Sequence, residues 1–156
     1  MNRFFIYLLV IAILAVSCES ENALTVINQE QSIDNYIKST FPENEVVRSN
    51  GANKVIISEG AESVKVANGD SVTMLVEGYV FNNAPSTMFL QDSIKLAMNR
   101  NGMVRGLYDG LLGSSLYEQS LIIFSAEYGY YEEQVGVIPP MSALLYNVLI
   151  TDIKKK

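Results

Sequence analysis

The 156-residue sequence has no histidine, no tryptophan and one cysteine, and its 11 Lys and Arg are outnumbered by 17 Asp and Glu. Without histidine, Ser-His-Asp and Cys-His nucleophile systems and His-ligated metal sites are excluded. General acid–base chemistry would have to rest on carboxylates, Lys or Tyr. A net charge of −6 repels phosphate backbones and argues against nucleic-acid binding. There is no phosphate loop and no dinucleotide fingerprint, so no cofactor is expected. What is present, 49% hydrophobic and 18% charged residues, describes a globular chain of one ordinary domain.

Residues 4 to 16 form an unbroken apolar run after Asn2 and Arg3. As a helix it would rise only about 20 Å, short of the roughly 30 Å hydrocarbon core. A basic start, a short apolar run and small residues after it predict a secretory signal peptide over residues 1–17. Leu14-Ala15-Val16-Ser17-Cys18 resembles the lipobox of bacterial lipoproteins, with Ala15 where that family prefers Leu. The resemblance implies cleavage before Cys18 and lipidation of its thiol. Two or more acyl chains suffice for stable anchoring. The protein is then expected to be exported and lipid-anchored to a bacterial membrane, the outer one, on its periplasmic or surface side.

Residues 18–44 read as a lipid-anchored tether, polar and aperiodic to about Gln31, followed by a short helix. Ser32 would cap that helix, Ile33, Tyr36 and Ile37 would share one face, and Pro42 would end it. Strand patterns begin at Glu45. Val46–Arg48 and Lys54–Ser58 flank a hairpin loop, and Asn68-Gly69-Asp70 is a tight turn before an alternating strand from Ser71 to Phe81. In that strand Val72, Met74, Val76 and Val80 share a face. Asp92 to Met98 fits a strand or a helical turn. Arg105 to Gly113 is too rich in glycine for a long helix and fits one or two turns, with its glycines read as turn residues. Glu118–Phe124 and Ala143–Ile153 complete the strands, with a Tyr- and Glu-rich loop between them. The sum is α+β with an antiparallel sheet dominant.

Loop carboxylates Glu127, Glu132 and Glu133 read as solvated groups. The loop from Tyr128 to Pro140 is more informative. Its tyrosines, Val137-Ile138 and Pro139-Pro140 either cover a sheet edge or make a shallow groove that accepts proline rings.

Gly69-Asp70-Ser71-Val72, Gly102-Met103-Val104-Arg105-Gly106-Leu107, Gly110-Leu111, Tyr128-Gly129 and Gly136-Val137-Ile138-Pro139-Pro140 followed by Ala143-Leu144 occur in that order. Together they resemble the FKBP-type peptidyl-prolyl cis-trans isomerase domain over roughly residues 69–153, the core of a domain spanning 45–156. The resemblance implies a curved antiparallel sheet wrapped around a short α-helix. It implies a pocket in which the Val104 backbone N–H receives the substrate carbonyl and Tyr128 donates its hydroxyl. Met103 lies beside Val104, Leu107 stands where the family has a Trp floor, and Ile138 and Tyr146 line the walls. Val76 replaces the strand Tyr. Phe89 takes the place of the family's Phe, but Leu90 follows it where an Asp is usual. The implied function is prolyl isomerisation on exported proteins with a degenerate pocket and reduced activity, the partners being proline-containing segments. A non-catalytic peptide-binding or folding-assistance module and a structural lipoprotein are the alternatives.

Expressed in a lipoprotein-processing bacterium, the chain should mature to a membrane-bound, lipid-labelled form of 139 residues. Cys18→Ala should leave an unprocessed or soluble species, and an unmodified wild-type Cys18 in the cytoplasm would refute the anchor.

Overall fold

A computed structural model describes the backbone of residues 2–156 and the side chains of residues 21–156 apart from Glu62. The Cys18 side chain and the side chains of the expected signal peptide lie outside the described residues. Helix α1 spans Asn2–Thr40. It stops just before Phe41-Pro42, where the residue preceding proline is pushed out of the helical region. Residues 19–31, expected to be a tether, are helical within α1, and Ser32 is an interior residue rather than a cap. The reason is physical. No Gly or Pro interrupts residues 2–41, and over residues 25–32 the 3–4 spacing is carried by Thr25, Asn28, Gln29 and Ser32, which a hydrophobic pattern does not register.

The strands are β1 (Val46–Ser49), β2 (Ala52–Ser58), β3 (Ala61–Lys65), β4 (Ser71–Phe81), β5 (Pro85–Ala97), β6 (Ser115–Leu116), β7 (Gln119–Phe124) and β8 (Ala143–Lys154), with helix α2 (Arg105–Leu111) between β5 and β6. Six of them form one antiparallel sheet in the order β1-β2-β7-β8-β4-β5. β3 and β6 make a separate two-stranded sheet that the sequence pattern did not predict. The β1–β2 hairpin turns on Asn50-Gly51, both at positive φ, a pair suited to a type I′ turn. Asp92 to Ala97 resolves as strand, and β4 has the boundaries the alternation predicts.

Alternation along β8 assigns its residues to two cores. Leu144, Tyr146, Val148 and Ile150 face α2, together with Ile122 and Phe124 of β7 and Val72, Met74 and Val76 of β4. Ala143 and Leu145 face the other way and meet Ile123, Phe81, Val55 and, from α1, Ile33 and Ile37. One helix therefore covers each face. Only the end of the reverse face lies under α1. Farther along, Glu77 accepts from Asn147 at 3.2 Å and from Gln91 at 3.2 Å, a cross-strand polar ladder beside exposed Leu75.

α2 is seated by its glycines. A Cβ on Gly106 would overlap the Phe124 ring, and one on Gly110 would overlap Ile122. These residues are the contact surface of a helix lying directly on β7, not turn residues. Beyond the helix, Lys54 and Glu118 form a buried ion pair at 3.1 Å. Lys54 donates to Ser114 Oγ and the Ser115 N–H donates to Glu118, so the buried charges are hydrogen-bonded as burial requires. Near the chain's end Lys155 donates to Asp70 at 2.6 Å. That bond leads the influences that hold the Asp70 carboxyl below its usual range, with the Ala67 and Lys156 N–H groups acting in the same direction against desolvation.

Gly106→Ala should destabilise the fold by about 1–3 kcal/mol through overpacking. Gly102→Ala, with nothing within 4 Å of the new methyl, should change stability by no more than about 0.5 kcal/mol. Denaturant titration of both variants checks the pair.

Candidate functional site

The α2 face of the sheet gathers the residues singled out from sequence. Val76 on β4, Leu107 on α2, Ile138 before the Pro-Pro step and Tyr146 on β8 are buried in one apolar cluster. Phe89, Met103, Val104 and Tyr128 pack at its margin. Elements far apart in sequence are thus brought to one place, and each is positioned by a local cause. Val104 is the N-cap of α2, where backbone N–H groups have no intrahelical carbonyl to bond. Leu107 is one turn on, facing inward because Gly106 and Gly110 press the helix onto β7. Tyr146 pairs with Gly78 of β4, and the bare Gly78 backbone lets the Phe89 ring lie across it.

The aromatic geometry is specific. Phe89 meets Tyr146 edge to face, with ring centroids 5.5 Å apart, and Tyr146 stacks on Phe124 at 5.8 Å. Phe124 is fully buried beneath the site, a role that the sequence pattern did not distinguish from any other strand apolar. Burial pushes the Tyr146 hydroxyl above the usual phenol range, and the charge and hydrogen bond of Tyr130 act in the same direction. Tyr146 therefore stays neutral and is no base. With Leu107 6% and Tyr146 3% exposed, the floor is closely packed. The half-exposed rim is Phe89, Met103, Val104 and the loop tyrosines Tyr128 and Tyr130.

Those tyrosines divide. The Tyr128 ring lies against Gly51 of the β1–β2 turn, where any side chain would overlap it. The Arg105 guanidinium covers the ring at 4.9 Å, a cation–π contact. Tyr128 thus bridges the hairpin, the loop and α2. Tyr130, two residues on, packs against the same cluster as Tyr146. The Tyr-Gly pair drew attention to Tyr128, and the Tyr-x-Tyr spacing was the available signal for Tyr130. Among the described residues no group of three carboxylates or thiols is arranged to hold a metal ion.

A six-stranded antiparallel sheet with a short helix seated on one face, and an aromatic-lined cluster between them, defines an FKBP-like α+β fold. The sequence matches the family of FKBP-type peptidyl-prolyl cis-trans isomerases over residues 62–151, and the chain belongs to that family. Similar solved structures include FkpA from Escherichia coli, at 18% identity and TM-score 0.65, covering 92% of this chain and 67% of that one. The N-terminal domain of FKBP42 from Arabidopsis thaliana aligns at 21% identity and TM-score 0.64, covering 72% of this chain and 94% of its own. The three FKBP domains of wheat FKBP73 align at 20% identity and TM-score 0.62 over 72% of this chain, which spans 50% of that structure's length. At these identities the likeness concerns the fold. No curated protein shows a significant match.

The two tyrosines can be separated by assay. If Tyr130 supplies the hydroxyl contact to substrate, Tyr130→Phe should lower prolyl-peptide kcat/KM by about 2- to 10-fold, the equivalent of one hydrogen bond. Tyr128→Phe should lower it less. The reverse order would return the role to Tyr128.

Proposed function

We propose that the protein is a peptidyl-prolyl cis-trans isomerase acting on proline-containing segments of exported proteins, held at a bacterial membrane by lipid on Cys18. The observation that carries the catalytic reading is the family match together with the single cluster that unites Val76, Phe89, Leu107, Ile138 and Tyr146. Export and anchoring rest on the apolar run and the lipobox-like Leu14–Cys18 segment. Among the described residues no helix is long and apolar enough to cross a membrane.

Rotation about a prolyl bond needs no nucleophile, metal or titrating base. The barrier of about 18–20 kcal/mol comes from amide conjugation, and a site lowers it by binding the twisted amide better than the planar one. The twisted amide has lost conjugation and prefers a drier setting. Phe89, Ile138 and the packed floor of Leu107 supply apolar surface for the proline ring. The Val104 N–H and a loop tyrosine supply fixed donors for the carbonyl, whose geometry changes on rotation. Such chemistry suits a chain without histidine.

A second reading, a peptide-binding or folding-assistance module without turnover, is favoured by the residues that line the pocket. Leu107 replaces the larger family ring, Val76 replaces a hydrogen-bonding Tyr, and Leu90 stands where a carboxylate is usual. If each loss weakens transition-state binding by about 1–2 kcal/mol, the three together reduce kcat/KM by roughly 10²–10⁴.

With the full chain and an Xaa-Pro peptide, isomerisation should exceed the spontaneous rate, though well below that of a complete pocket. Leu107→Trp should raise kcat/KM by about 5- to 30-fold if it adds 1–2 kcal/mol of apolar contact, with stability measured alongside. Peptide binding without acceleration in either protein would establish the second reading, and neither binding nor acceleration would leave only a structural body.

A further inference from the structure

On the face of the sheet away from α2, a cleft of about 380 Å³ opens between α1 and the ends of β4 and β8. Its volume is within the roughly 300–1,000 Å³ typical of small-molecule sites. One wall is a helical stripe, Thr25, Asn28, Gln29 and Ser32, at the 3–4 spacing of a single α1 face. The opposite wall is the β4–β5 turn, with Asn82 and Asn83, and the chain entering β8 at Ser142. Phe81 and Ala143, both buried, close the base with apolar surface.

The composition of this cleft restricts its ligand. None of the lining residues is Asp, Glu, Lys or Arg, although acidic and basic side chains make up 18% of the chain. An anion would find no cation to meet it and a cation no carboxylate. Side-chain amides and hydroxyls offer donors and acceptors together, which fits a neutral molecule carrying many hydroxyls. The apolar base fits the C–H faces of a sugar ring.

The walls are also held in place. Gln29 donates to the Met141 carbonyl at 2.7 Å and accepts from the Ala126 N–H at 2.9 Å, so this side chain ties α1 to the loop rather than competing for ligand. Ser32 donates to Asn83 Oδ1, which leaves the Asn83 amide nitrogen to donate elsewhere. Asn83 and Met141, both in the wall that faces α1, have positive φ, 58° and 55°. Left-handed backbone at non-glycine residues persists where the surroundings over-determine it, and such positions cluster at ligand clamps.

The geometry points to a second site, for a neutral saccharide of one or two rings, in the cleft between α1 and the ends of β4 and β8. It faces away from the cluster that contains Leu107 and Tyr146, and it stands whether or not prolyl turnover is found.

The test is a backbone-amide NMR titration of the full chain with maltose, cellobiose and N,N′-diacetylchitobiose. At least one should bind saturably with Kd below about 10 mM, shifting signals of residues 25–32, 80–83 and 141–143. Glucosamine and glucose 6-phosphate, one cationic and one anionic, should bind at least about tenfold more weakly than that disaccharide. Asn28→Ala, at an exposed helix position, and Asn82→Ala should each weaken binding about 2- to 10-fold and leave prolyl-peptide turnover unchanged. Asn28→Ala alone suffices if the Asn82 variant does not fold. The proposal is overturned if no disaccharide saturates the cleft, or if the charged sugars bind as well as the neutral ones. It is equally overturned if a blocked tri-alanine peptide binds the same residues more tightly than all three, which would assign the cleft to peptide backbone.

Discussion

The contact that the architecture depends on is the seating of α2 on β7 through Gly106 and Gly110. With no side chain at those two positions, the helix backbone lies directly over Phe124 and Ile122. Leu107, Tyr108 and Leu111 then reach the core instead of being held off it. Because Phe124 also stacks on Tyr146, the height of the helix above the sheet sets the depth of the aromatic cluster. A helix of seven residues has little stability of its own. Its position is determined by packing, and the cluster inherits that position.

β8 carries this arrangement to the other side of the molecule. Its alternate residues belong to different cores, so one strand is the shared wall of the α2 cluster and of the Ile33–Ile37 contact with α1. The α2 cluster and the polar cleft thus lie back to back across a single layer of backbone. The segment from Tyr128 to Ser142 serves both, supplying Tyr130 and Ile138 to one side and Met141 and Ser142 to the other.

How much of this could be read from sequence follows from the strength of each physical signal. β4 was legible because Val72, Met74, Val76 and Val80 fall on one face, with Ser71, Thr73 and Glu77 on the other. The short α2 was legible because three glycines forbid a long helix, but not what the glycines touch, since a close approach leaves no periodic trace. The residues that the ordered family motifs singled out converge in one cluster. Adjacency to glycine singled out Tyr128, whereas nothing in the family motifs marked Tyr130, which packs against the same cluster. The reach of α1 through residues 19–31 was missed because its inward stripe is built from amides and hydroxyls. β6, two residues long, carries too short a pattern to detect.

The strand order has a consequence for how the chain acquires its structure. β2 pairs with β7, Val55 opposite Leu121, and β4 pairs with β8, Val76 opposite Val148. Two of the inner pairings therefore join strands far apart in sequence, while consecutive strands supply the two edge pairs and the central β7–β8 pair. Topologies dominated by such distant pairing fold in about milliseconds to seconds rather than microseconds. β8, at the middle of the sheet, comes after every other strand, so no earlier portion of the chain can complete either core. A polypeptide emerging from its N-terminus would keep both apolar faces unassembled until Ala143–Lys154 arrives, and would then close them in one cooperative step.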